Sequence, residues 1–308
     1  MRITTANAYD AVVANLQLRQ QQLVDSQTQL TSGKRVQRAS DDPAAAAQAE
    51  RALAWQSRVQ TQQRALDASR NATQMTESTL GSAGELLQQA REAVVQAGNG
   101  SYSDSDRAQL AQSLQSLRDQ LFALSNTTDG TGRYLFGGQG SDNAPFSNAP
   151  GGVQYNGTPG VQNTAGNEPS PLAVDGQKIW LQAPDPSNPG GTLSVFGVLD
   201  QAIADLGTPG RTPAQVAQTV STGLRQIDAV ALNLSSARST AGEALNRIDA
   251  IDQRLSQANV DAQQQRSSAE DVDMVQAISD FQAQQTGYDA ALKAYATVQR
   301  MSLFQYLS

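Results

Sequence analysis

Apolar residues recur every seven positions along both ends of this chain, a spacing that reads as helix. In the first stretch the row is Tyr9, Leu16, Leu23 and Leu30. Its companion positions Val13, Gln20 and Gln27 are mostly polar, so the seam is thinner than a globular helix carries. Thr31-Ser32-Gly33 breaks the pattern, with Gly33 placed to cap it. Ser40-Asp41-Asp42-Pro43 marks a second start, where Asp42 can cap and Pro43 can take the first helical position. Ala52, Val59, Leu66, Thr73, Leu80, Leu87 and Val94 then keep the period and predict a helix to about residue 97. At ~1.5 Å per residue it is roughly 80 Å long. Gly98-Asn99-Gly100-Ser101 ends it. Ser103 and Asp106 predict a capping box for a third helix, where Leu110, Leu114, Leu117, Leu121 and Leu124 alternate in steps of four and three.

The character changes near Asn126. From there to Gly210 the chain is rich in Gly, Pro, Asn and Thr. Short runs predict strands: Arg133–Phe136, Gly152–Tyr155, Lys178–Leu181 and Thr192–Phe196. Asn156-Gly157 and Asp175-Gly176 read as turns between them. With its own aromatics Tyr155, Trp180 and Phe196, the segment reads as an independently folding insertion.

Helix returns at Thr212-Pro213-Ala214-Gln215, a capping box with Pro at its first position. Val220, Ile227, Leu234, Ala241, Ile248 and Leu255 repeat every seven. A last helix is expected to begin near Ser268–Asp271, with Met274, Phe281, Tyr288 and Tyr295 in one row and Ile278, Leu292 and Tyr306 in the other. The expected fold is therefore mainly α: a long antiparallel helical rod or coiled coil from both chain ends, with a small β-rich domain inserted in the middle. The expected division is a terminal coiled coil of 1–40 with 268–308, a rod of 41–136 with 211–267, and a β-rich outer domain of 137–210.

Composition narrows the function. The formal charge is -7, which disfavours nucleic acid and basic membrane-surface helices. No run of the sequence is apolar and long enough to span a bilayer. There is no cysteine and no histidine, so disulfides, thiolate metal sites and Ser–His or Cys–His nucleophiles are excluded. Three remaining chemical readings are weak. Asp41-Asp42 fits a helix cap better than an acid–base pair. Asp271-Val272-Asp273 fits acids at a helix start better than a metal motif. Gly137-Gly138-Gln139-Gly140 lacks the Lys-Ser/Thr ending and the following helix of a phosphate loop. The expectation is no enzyme and no cofactor.

The thin terminal seams point to partners, because a helix with so little apolar surface is marginal until something packs on it. Here the residues carry a resemblance. Leu30-Thr31-Ser32-Gly33-Lys34-Arg35-Val36 followed by Ala39-Ser40-Asp41-Asp42-Pro43-Ala44-Ala45 resembles the N-terminal signature of the flagellin superfamily. The run from Asp271 to Asp280, the tail Ser302-Leu303-Phe304-Gln305-Tyr306-Leu307, Tyr134-Leu135-Phe136-Gly137-Gly138 and the opening Met1-Arg2-Ile3-Thr4-Thr5 are similar to the hook-associated proteins of the hook–filament junction.

The resemblance implies a structural component of the bacterial flagellum, exported without a cleaved signal peptide and ending outside the cell. It implies a homo-oligomeric ring with another hook-associated protein on the hook side and flagellin on the filament side, delivered by an export apparatus or chaperone. The expected assembly interface is Tyr9, Leu16, Leu23 and Leu30 on the first helix, with Met274, Ile278, Phe281, Tyr288, Leu292, Tyr295, Leu303, Phe304 and Tyr306 on the last. The alternative is flagellin itself.

Overall fold

A computed structural model describes residues 2–140, 142–165 and 168–307, with side chains described between 10 and 297. The chain divides into two compact units. One is Met1–Val59 with Gln257–Ser308, the other Gln60–Ser256.

In the first unit, α1 (Arg2–Ser32) packs along α7 (Met274–Leu307). Ser26 donates to Gln284 Oε1 at 2.8 Å, and this bond fixes an antiparallel register. At that register Leu30, Leu23 and Leu16 stand level with Phe281, Tyr288 and Tyr295, and all six are half-buried. The opening of α2 (Pro43–Ala97) and the end of α6 (Pro213–Glu270) also belong here. Their buried residues are Ala45, Ala49, Ala52 and Val59 on α2 and Ala262 and Ala269 on α6. Five of the six are alanines.

In the second unit the heptad rows read from the sequence face inward. Leu66, Thr73, Leu80, Leu87 and Val94 of α2 are buried, as are Ile227, Leu234, Ala241 and Ile248 of α6. The predicted boxes form at both helix starts. Ser103 and Asp106 cap α3 (Asp104–Ser125) reciprocally, and Thr212 does the same with Gln215 for α6. Asp42 accepts from the Ala44 and Ala45 N–H groups at 3.2 and 3.0 Å and caps α2.

The middle segment departs from its expected strands. Three two-stranded antiparallel hairpins form: β1 (Phe146–Ala149) with β2 (Gly152–Tyr155), β3 (Gln162–Asn163) with β4 (Pro171–Ala173), and β5 (Ala183–Pro184) with β6 (Thr192–Leu193). The Lys178–Leu181 run is instead a helical turn, α4 (Gly176–Trp180), because the Asp175 carboxylate caps it. Thr192–Phe196 is strand only as far as Leu193. Ser194 then caps α5 (Val195–Gly207), which buries Val195, Phe196, Val198, Leu199, Ala202 and Leu206. That spacing has the helical period, and α3 supplies the surface it covers. In Arg133–Phe136 only Tyr134 bridges, to Thr128, while Leu135 and Phe136 plug the core.

The insertion's aromatics do not make a core of their own. Trp180 stacks on Phe196 at 5.9 Å and meets Phe136 edge-on at 5.5 Å, while Phe196 meets Phe122 of α3 at 5.9 Å. These side chains join Leu80, Leu87, Leu114, Leu121 and Leu234 in one continuous core. Arg118 adds a polar tie, donating to Asp200 of α5 at 3.1 Å and Asn148 of β1 at 2.8 Å. Its guanidinium lies over both Phe122 and Phe196.

The last helix starts at Met274, not near Ser268. The interruption has a cause: Val272 N–H donates to Gly33 O, which draws the chain out of the helix. Asp273 then accepts from the Val275 and Gln276 N–H groups at 3.0 and 3.1 Å and caps α7.

Candidate assembly surface

Two sequence motifs, distant in the chain, meet at the base of the α1–α7 pair. Gly33 ends α1 in the left-handed region, at φ 70°, with its N–H on Gln29 O. The next residues reach across to the α6–α7 break. Arg35 and Val36 N–H groups both donate to Glu270 O, and the Arg35 guanidinium donates to Ala269 O. Lys34 Nζ pairs with Glu270 at 3.2 Å, and Arg35 with Asp42 at the same distance. Val36 is buried beneath this clasp. Asp41 folds back to accept from Gln37 and Arg38 N–H groups. The Arg38 amide, then that of Gln37, holds the Asp41 carboxyl below the usual carboxylate range. The Ala45 amide, then the Arg35 guanidinium, does the same for Asp42. These paired acids are turn and cap groups that lock two connections together.

The structure sorts the expected interface residues into two sets. Leu16, Leu23, Leu30, Phe281, Tyr288 and Tyr295 lie half-buried on the seam between α1 and α7. Met274, Ile278 and Leu292 are exposed on α7. The second row facing α1 is Ala277, Gln284 and Ala291, and it leaves Ile278 and Leu292 outside. Tyr9, Leu303, Phe304 and Tyr306 have side chains outside the described residues. The sequence reading missed further exposed residues, the most exposed being Val275 (80%) on α7 and Leu18 (55%) and Val24 (54%) on α1. Each stands off the seven-residue row, and that displacement was the signal available. The outer faces of the pair thus carry apolar groups that this chain does not cover.

The weak chemical readings find no support in this geometry. The Gly138 N–H donates to Val174 O and the Gln139 N–H to Thr158 O, so neither is free to cradle a phosphate. A side chain at Gly138 would collide with Thr158 O. Among the described residues no cluster of three or more acids could hold a metal ion, and no helix is long and apolar enough to cross a membrane.

The family profile of the bacterial flagellin N-terminal helical region matches residues 3–141, and that of its C-terminal helical region matches 224–307. Flagellar hook-associated protein 3 of Salmonella typhimurium is 34% identical, with 99% of each chain covered. The Escherichia coli counterpart is 35% identical over the same share of each.

The chain belongs to the flagellar hook-associated protein 3 family.

Members of that family are structural proteins of the flagellum, and the flagellum is where this chain resides. Flagellins align only in part: flagellin E of Vibrio cholerae covers 45% of this chain at 33% identity. The fold agrees with the assignment to hook-associated protein 3. The crystal structure of Xanthomonas campestris FlgL superposes with a TM-score of 0.61 at 24% identity, covering 71% of this chain and 99% of that one.

Proposed function

We propose that this chain joins hook to filament as a ring of identical subunits, assembled through the α1–α7 pair. On the hook side it meets another hook-associated protein, and on the filament side it accepts flagellin. The observation that carries this reading is the apolar outer face of the pair, where Val275, Ile278, Leu292, Leu18 and Val24 stand exposed in a single chain. Family membership supports export to the cell exterior, with delivery by the flagellar export apparatus or a chaperone. Within the ring, 1–40 with 268–308 would form the terminal coiled coil and 41–136 with 211–267 the rod. Residues 137–210 would form the outer part, built on the core it shares with the rod.

The test is a strain lacking this chain, complemented with a version carrying a peptide tag in the exposed Pro189-Gly190 turn. Without the chain, cells should build hooks and shed flagellin into the medium. With it, gold label should sit in one band between hook and filament. Label spread along the filament would support flagellin instead, and normal filaments in the deleted strain would refute both.

A further inference from the structure

The chain contains two Asn-Gly steps, Asn99-Gly100 and Asn156-Gly157, and they are held in opposite ways. Asn99 is exposed in the turn between α2 and α3. Its side-chain oxygen accepts from the Ser101 N–H at 3.1 Å and from the Ser101 hydroxyl at 2.9 Å. Both bonds close a turn in which the Asn99 side chain spans the Gly100 peptide, and they draw electrons from the side-chain Cγ. Gly100 has no side chain to shield its nitrogen, and the space where one would stand is open. No other described group takes the Gly100 N–H.

At the second step the amide is turned away. Asn156 Nδ2 donates to Ser147 Oγ at 2.8 Å across the hairpin. Gly157 is wedged against the Tyr155 ring and Gly137 O, which restricts rotation of its peptide.

We propose that Asn99 is a site of spontaneous deamidation, templated by the α2–α3 turn, and that Asn156 is protected. The Gly100 amide nitrogen, losing its proton, attacks Asn99 Cγ. The Cγ–Nδ2 bond breaks, ammonia leaves, and a succinimide ring remains. One water then opens the ring at either carbonyl, leaving aspartate or isoaspartate. One ammonia is released and one water consumed, with no oxidant or partner required. The new carboxylate lies two residues beyond Ala97, the end of α2, where the negative end of the helix dipole disfavours it. Isoaspartate also adds a methylene to the main chain between α2 and α3. A subunit that stays in place for long would thus acquire a charge and a looser turn at this point.

The experiment incubates the purified full chain in mildly alkaline buffer and follows tryptic peptides 92–107 and 134–178, with fragmentation to assign positions. Isoaspartyl methyltransferase labelling reports the rearranged product. Peptide 92–107 should convert with time, with isoaspartate exceeding aspartate, while Asn156 stays intact. Gly100→Ala should slow conversion several-fold, and Ser101→Ala should slow it by removing the hydroxyl bond. Equal conversion at both steps, or no effect of Ser101→Ala, would overturn the proposal. Helical circular dichroism matching wild type shows that each variant is folded.

Discussion

Replacing Val275 by Ser should weaken assembly and leave the free chain nearly unchanged. This side chain is 80% exposed, so the chain alone gains little from it, whereas Ile278 and Leu292, at 46% and 40%, already bury more than half of their surface in the free chain. Fully burying a Val side chain is worth about 1.5–3 kcal/mol. Scaled by the exposed fraction, Val275 has roughly 1–2 kcal/mol still to gain per subunit, a weakening of about five-fold to thirty-fold at each contact. The control is Phe281→Ala with Tyr288→Ala, which strips the inner seam facing α1. Truncating a fully buried Phe costs about 3–5 kcal/mol, and the larger part of this, roughly 2–4, applies to the mostly covered Phe281. The two variants should therefore separate. Val275→Ser should match wild type in thermal unfolding of the monomer and weaken filament retention, read as flagellin in the culture supernatant. The inner pair should loosen the α1–α7 helices of the monomer, read as faster hydrogen exchange there. A lowered monomer melting temperature with normal filament retention in Val275→Ser would refute the reasoning.

Three further outcomes follow from the geometry. Replacing residues 140–205 by a short Gly/Ser linker should unfold α3, because Leu114, Leu117 and Leu121 face α5, and circular dichroism should show the loss of helix. The Asp41 and Asp42 carboxyls titrate below their ordinary range, so their contribution is present above it and disappears as pH falls below about 4. Exchange at Ala44 and Ala45, corrected for intrinsic rate, should rise over that window in wild type and be fast at every pH in Asp42→Ala. Burial, then the Asp175 charge, pushes the Tyr155 hydroxyl up to about 12. Its contribution is full below about pH 10 and is lost as pH rises from there through about 12. Tyr155→Phe should therefore resist alkaline unfolding better than wild type, while losing about 0.5–1.5 kcal/mol at neutral pH with the bond to Phe136 O.

Much of this protein could be read from local spacing. Helical period and capping are short-range, so Leu80, Leu87, Ile227 and Leu234 declared an inward face before any packing was known. Ser103, Asp42 and Thr212 declared where helices begin. Other features depended on what lay across from them. Val195–Gly207 has the helical period, yet it follows a β-like run in a Gly- and Pro-rich stretch, and the face of α3 decided in favour of helix. Trp180 and Phe196 looked like the core of an insertion, but an aromatic's neighbours are set by chain topology, and α3 supplied Phe122. On α7 hydropathy alone favoured Ile278 and Leu292 for the seam. The pair instead packs Ala277, Gln284 and Ala291 inward, with Ser26 satisfying Gln284. Two flanking rows are equally available to a helix seven residues per repeat, and only the partner helix determines which is covered.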